Sequence, residues 1–464
     1  MVWRYRKHSR SINNSESHTS GSTASAPVAF HHLPAFVVAF AILALGYNFF
    51  GFISKYSVNV LFFDQWDYMR SFFGGHTTLV DLFRLQHGPH REGVGIIADR
   101  FLYPLTNWNV RAESFMIGGC VFVAMLLALL LKRRLFGHFS YSDVSIPLMF
   151  LTLAQYETFV GGPNASYGGF PLVMLMLYCV ALLERNCFLR YGVVLLLNLF
   201  LIYDGWGLFM GIVTIGIFAL EGYWRLRHIT STPLALPVAA LLIAGASLGS
   251  FFIRYKFAPV EGFPPRDPLS YPRFMALMFS NFVGLRVPVW ATWAGYAILL
   301  FALVVLAAQV RRLGTRDCSR DISLILGVLL SYGILFAAST AVGRVSLGLD
   351  QAQVSRYATL LIPAFLALYL YLLSTPSGLR RNIGLVLFAV LLVPNAVRVP
   401  PGARWLADGK RAWIACYLQT ENIEHCDQAV GFVIHPRPEN TGLRQKLEYL
   451  KQHRLSFFAD RVPK

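Results

Sequence analysis

Apolar runs close to twenty residues long recur through the chain, separated by short charged, Gly- or Pro-containing stretches. They fall near 33–53, 114–131, 144–160, 167–183, 189–203, 207–223, 234–253, 289–310, 322–341, 357–373 and 383–397. A run of that length suits a helix crossing the bilayer hydrocarbon. The pattern predicts an all-α polytopic membrane protein of about eleven transmembrane helices, within a range of roughly ten to thirteen.

The ambiguous stretch is 189–223, where only Asp204-Gly205-Trp206-Gly207 separates two short runs. Read as one crossing, it would put Arg311, Arg312, Arg316 and Arg320 outside, against the tendency of basic turns to stay in the cytoplasm. Two short spans meeting at Asp204 avoid this, and a re-entrant element is the other solution. With the N-terminus inside, every predicted inner turn is basic, from Lys132-Arg133-Arg134 to Arg380-Arg381.

The domain layout follows. Residues 1–32 read as a disordered cytoplasmic N-terminus, basic at Arg4, Arg6, Lys7 and Arg10 and then Ser-rich. Residues 33–397 form the transmembrane domain, its first run an uncleaved signal anchor. Within it, 54–113 and 254–288 are long extracytoplasmic loops. Residues 398–464 are an extracytoplasmic tail or small cap, in which an oxidising compartment would permit a Cys416–Cys426 disulfide.

Composition agrees with this layout. Of 464 residues 55% are hydrophobic and 14% charged, which excludes disorder and an ordinary soluble domain. The net charge of +17 would direct a soluble chain to nucleic acid. Here topology accounts for it, and no nucleic-acid-binding signature is present.

Chemistry concentrates in 61–92, LFFDQWDYMRSFFGGHTTLVDLFRLQHGPHRE, a polar island between apolar segments. Asp64 and Asp67, three apart, share one side of a helical turn, where they can act as general base or hold a divalent cation. The plainer alternative is an interfacial helix start, capped by Asp64 and anchored by Trp66 and Tyr68. His87 and His90 bracket Gly-Pro, a tight turn that points both rings to one side, and Arg91 offers planar donors suited to phosphate. The plainer reading there is a polar turn with no role.

These features resemble the GT-C superfamily of integral membrane glycosyltransferases. FFDQWDY…QHGPHRE is similar to the acidic-Trp and H-x-x-H-R pattern of uncharacterised bacterial members. LAQYETF and GRVSLGLDQAQVSRYATL, the latter from Gly343, are similar to two further segments of those proteins. The resemblance implies an inverting transfer of a sugar from a polyprenyl-phosphate donor to an extracytoplasmic glycan, lipid or protein acceptor, in a bacterial inner membrane. It puts the base or metal-ligand role on Asp64 or Asp67. Any cofactor would be a divalent cation, Mg or Mn, held by those two acids. Paired acids in the family are often adjacent, so the three-residue spacing departs from the pattern.

A lipid-phosphate leaving group needs cations, for which Arg91, Arg344 and Arg356 are candidates, with Asp350, Gln351 and Tyr357 beside the last two. Snorkelling at a span end is the alternative for both arginines. Glu157 and Asp204, on or near spans, are expected to face protein or water and to bind substrate hydroxyls or serve structure. Arg266, Arg273 and Arg286 of the second long loop are expected to shape an acceptor groove. The competing functional class is a transporter or flippase of lipid-linked sugars or other anions, using the same arginines and Glu157 or Asp204 for proton coupling. It would be favoured by internal repeats, and none is visible.

Overall fold

The computed structural model describes residues 32–74, 77–227, 234–257, 267–314, 320–439 and 441–459. Residues 1–31 of the predicted cytoplasmic tail, and Arg266, Arg316 and Cys318, lie outside these. The elements run α1 Leu33–Tyr56, α2 Gln65–Tyr68, α3 Leu79–Phe83, β1 Gln86–His87, β2 His90–Glu92, α4 Gly93–Leu105, α5 Val110–Phe136, α6 Ser145–Phe150, α7 Gly169–Leu182 and α8 Cys187–Ile202. There follow β3 Asp204–Gly205, α9 Leu208–Arg227, α10 Ala235–Phe251, α11 Ser270–Phe282, α12 Pro288–Leu313, α13 Arg320–Arg344, α14 Tyr357–Ser374, α15 Leu379–Val397, α16 Pro401–Thr420, α17 Ile423–Val430 and α18 Leu443–Gln452.

Seven of these helical stretches are long and apolar enough to cross a membrane. Three shorter apolar helices, α7, α8 and α10, accompany them. Their ends carry the expected signals. Asn109 caps α5 by accepting from the Arg111 N–H, and Gly137 closes that helix at φ +81°. Asn186 caps α8 by accepting from the N–H groups of Phe188 and Leu189. Helix α14 is buried along most of its length and packs against α13, α11 and α15, so it forms the centre of the bundle.

Two expectations are corrected. The stretch 144–160 is not a continuous helix: α6 stops at Phe150, a 3-10 turn covers Leu153–Gln155, and a π turn covers Glu157–Gly161. Thr152 adopts extended backbone and caps the next turn through the Ala154 N–H, while the Gln155 amide donates to the freed Phe150 carbonyl at 2.6 Å. Nearly all of this irregular stretch is buried, the condition under which such backbone is tolerated inside a membrane protein. In the segment 254–288, expected to be loop, α11 packs into the bundle against α12, α13 and α14. Its residues 276–282 are all buried.

At 189–223 two separate helices, α8 and α9, pack against one another and meet at Asp204-Gly205. That turn is a strand. β1, β2 and β3 form one antiparallel sheet, with His87 opposite His90, Arg91 opposite Gly205 and Glu92 opposite Asp204. The first long loop is thereby stitched to the α8–α9 connection.

The tail folds over the same region. The Phe63 N–H donates to the Ile434 carbonyl at 2.8 Å, and the Ser456 N–H to the Asn107 carbonyl at 2.9 Å. The buried Lys446 amine donates to the Trp66 carbonyl, and buried Lys410 donates to the carbonyls of Val160 and Gly161 that close the π turn. Cys416 and Cys426 are disulfide-bonded, joining α16 to α17.

Candidate active site

Asp64 precedes the one-turn helix α2 and Asp67 lies within it, and the two serve different surroundings. Between them Gln65 is buried, its amide donating to Glu113 Oε2 at 3.0 Å and to the Pro163 carbonyl at 2.9 Å. That anchor, with buried Trp66 and Tyr68, fixes the turn in place. Asp64 is half-buried and lies within electrostatic range of Arg356 and Glu92. Asp67 instead accepts from His435 Nε2 of the tail at 3.2 Å. The Arg437 backbone N–H donates to His435 Nδ1, so in the neutral ring the proton sits on Nε2 and points at Asp67.

The hairpin that follows turns at Gly88, φ +57°. His87 and His90 are cross-strand partners, as the Gly-Pro turn predicts. His90 packs on Trp206 at 4.0 Å between ring centroids and beside Tyr167 at 6.1 Å, while His87 meets Tyr68 edge-on at 6.2 Å. Burial, Arg344 and His87 push the His90 imidazole down to about 3, so it is neutral at physiological pH.

Arg91 departs from its expected role. Its guanidinium donates to the Phe251 carbonyl through Nε at 2.9 Å and Nη2 at 2.7 Å, to the Ile253 carbonyl at 2.8 Å, and to the Arg84 carbonyl. It is 2% exposed. The first two carbonyls lie at the end of α10 and the third at the end of α3, and closing them leaves the guanidinium few donors for a phosphate.

Across from the hairpin sits Arg356, at the head of α14. Burial opposes its charge, but Glu157, Tyr357, Asp64 and Tyr167 outweigh it and hold the guanidinium charged. Arg344 ends α13 within range of His90. Glu157 is carried by the π turn, its N–H donating to Ser355 Oγ at 3.0 Å, which fixes the turn beside Arg356. Six half-buried residues from distant parts of the chain thus converge: Asp64, His87, His90, Glu157, Arg344 and Arg356. Tyr357 is buried against Phe336 below them. Asp350 and Gln351 hydrogen-bond each other at 3.1 Å on an exposed turn. Arg273 and Arg286 are also exposed.

Behind this cluster stand acids that the motifs did not single out. Glu92 accepts from Asn164 at 3.1 Å, and burial raises its pKa. Glu113 accepts from Tyr103 at 2.6 Å. Asp99 is buried beside them, and burial followed by the charges of Glu113, Glu92 and Asp204 drives its pKa up. Asp204, expected to face protein or water, is fully buried at the sheet edge, accepts from the Gly95 N–H at 3.2 Å, and is pushed up to about 8 by burial. Glu92 sits beside the predicted motif, while Asp99 and Glu113 look in sequence like ordinary helix-surface charges. Only their spatial neighbours mark them.

A cavity of about 660 Å³ opens beside Asp67, lined by Asp67, Arg70, Ser71, Gln86 and His87, and roofed by Lys446 of the tail. His87 links it to the Asp64–Arg356 cluster.

No family model, curated protein or solved structure matches this chain. The functional reading therefore rests on the residues themselves. For a divalent cation they do not assemble a donor set. Asp64 and Asp67 diverge, and among the described residues no group of three or more His, Cys, Asp or Glu side chains is placed to hold a metal.

Proposed function

We propose that the protein is a membrane glycosyltransferase of GT-C type, moving a sugar from a polyprenyl-phosphate donor to an extracytoplasmic acceptor with inversion. The observation that carries the reading is a half-buried carboxylate, Asp64, within electrostatic range of a half-buried guanidinium, Arg356, that Glu157 and its neighbours hold charged. Asp64 takes the proton of the acceptor hydroxyl as its oxygen bonds to the anomeric carbon. The bond from that carbon to the phosphate oxygen breaks on the opposite side, and the departing lipid phosphate collects negative charge that Arg356 and Arg344 stabilise. Neutral His90 donates or accepts a hydrogen bond without changing charge. The acceptor approaches through the 660 Å³ cavity between Asp67 and Lys446.

Eleven crossings with the N-terminus inside suit this reading, since they put Asp64, Glu157, Arg344 and Arg356 on the outer face of a bacterial inner membrane. The Cys416–Cys426 bond supports an oxidising location for the tail. The test is transfer from a panel of polyprenyl-phosphate sugars by reconstituted protein. Asp64→Asn is expected to lower transfer by about 10²-fold or more, and full activity in that variant would sink the assignment.

One observation favours a second reading, a proton-coupled transporter of lipid-linked sugars: the buried carboxyls Glu92, Asp99 and Asp204, whose raised pKa values suit proton binding. Proton-driven uptake of a labelled lipid-linked sugar into vesicles, with no transfer product, would replace the first reading by this one.

A further inference from the structure

A second cavity, of about 350 Å³, opens on the side of the β1–β2 hairpin that carries Arg91, lined by Asp81, Arg84, Gln86, Ile253, Arg254 and Lys256 among others. Its scaffold is built rather than incidental. Gln86 grips Lys256 twice, its amide donating to the Lys256 carbonyl at 2.7 Å and its carbonyl accepting the Lys256 N–H at 2.9 Å. Tyr255 donates to the Pro89 carbonyl at 3.0 Å. Arg91 fastens the same segment from beneath through the Phe251 and Ile253 carbonyls.

Charge in this cavity is unbalanced. Asp81, the one carboxylate lining it among the described residues, is bound into the cap of α3 by Thr78, whose hydroxyl donates to it at 2.6 Å, and its pKa is lowered first by Thr78 and then by Arg254 and Arg84. The side chains of Arg84, Arg254 and Lys256 have no hydrogen-bond or ion-pair partner among the described residues. Ile253 lines it, and the two segments that supply its cations also carry exposed apolar side chains: Leu79 and Val80 on α3, and Phe252 and Phe257 beyond the end of α10. Unpaired cations set among exposed aromatic and aliphatic side chains at the end of an apolar helix have the chemistry of a bilayer interface, where headgroup phosphates and acyl chains meet.

We propose that this cavity holds the phosphate of an anionic phospholipid of the surrounding bilayer, contacted by Arg84, Arg254 and Lys256, with its acyl chains lying along Phe252, Ile253, Phe257, Leu79 and Val80. The site faces away from His90, and the inference does not rest on the proposed transfer reaction. Bound there, the lipid fixes the outer end of α10 and the hairpin at one height in the membrane.

The experiment uses full-length protein in phosphatidylcholine vesicles doped with phosphatidylglycerol carrying a photoactivatable acyl chain, followed by peptide mapping. Labelling is expected in the segments 79–84 and 252–257, and to exceed that from equally doped photoactivatable phosphatidylcholine. Arg84→Gln, Arg254→Gln and Lys256→Gln should each lower the excess by about fivefold, while Arg84→Lys and Arg254→Lys keep most of it. Equal labelling by the two lipids, or unchanged labelling in the Gln variants, would overturn the proposal. So would millimolar inorganic phosphate displacing the probe as well as unlabelled phosphatidylglycerol does, which would make the site one for free phosphate.

Discussion

The two aspartates of the 64–67 motif divide their labour, because a single helical turn pinned by buried Gln65 presents them to different partners. Asp64→Asn should reduce the turnover of sugar transfer, whereas Asp67→Asn, which loosens only the His435 contact and one cavity wall, should raise the acceptor KM and leave turnover within about tenfold. Equal turnover losses in the two variants would show that the division is false. Arg91→Gln belongs to a different category of effect. Stranding the carbonyls of Phe251, Ile253 and Arg84 costs about 1–3 kcal/mol each when water does not reach them, so the variant should lose thermal stability in detergent while its folded fraction keeps turnover. Lys446 gives a pH signature. Burial pushes its amine from 10.5 down to about 8, although Asp67 pulls the other way. Between those values the unfolded chain binds more protons than the folded one, so the Lys446 contribution to stability rises with pH across that window and is flat below it. Melting temperatures of wild type and Lys446→Met at several pH values should diverge in favour of the wild type from about pH 8 upward, and a constant difference would refute this. None of these distinctions is visible in the residue types. Arg91 reads as a phosphate ligand in sequence because a guanidinium in a polar loop usually faces water, and only the nearby end of α10 shows why this one does not.

At the scale of elements, the long helices were legible because a twenty-residue apolar run has few other uses in a protein. The division of 189–223 into two helices was legible from basic-turn bookkeeping. The break in 144–160 was not, since Thr152 and Gln155 replace lost helical hydrogen bonds from positions that look compatible with a span. The three-stranded sheet was equally hidden. Two- and three-residue strands have no period to detect, and their partners are far apart in the chain. That sheet depends on Gly205, whose φ of +57° and position leave no room for a side chain: an added Cβ would sit 1.9 Å from the Ser166 carbonyl oxygen. Gly205→Ala is expected to destabilise the protein by about 3 kcal/mol or more, measured by thermal unfolding, and to abolish transfer as the hairpin detaches from β3. A variant of normal stability would mean that the strand pairing is dispensable.

For the whole molecule, the convergence of Asp64, His90, Arg344 and Arg356 was foreseeable because alternating topology assigns loops to faces before any contact is known. The contribution of the tail was not. Lys410, His435 and Lys446 carry no motif, and their roles appear only where the tail crosses the first loop. The proposed orientation makes a cheap prediction. In intact cells, after reduction, a membrane-impermeant maleimide should label the half-buried Cys416 but not Cys187, and the opposite pattern would invert the topology. The crossing of the tail over the first loop also has a meaning for synthesis. His435 and Lys446 leave the ribosome hundreds of residues after Asp67, so the cavity acquires its roof only after every helix up to α15 has been made. A chain cut short by a stop codon or a protease can insert every helix up to α15 and still present an open, unroofed chamber. The walls of this cavity and its roof are thereby made at different times, and a chain that stops before His435 has the first without the second.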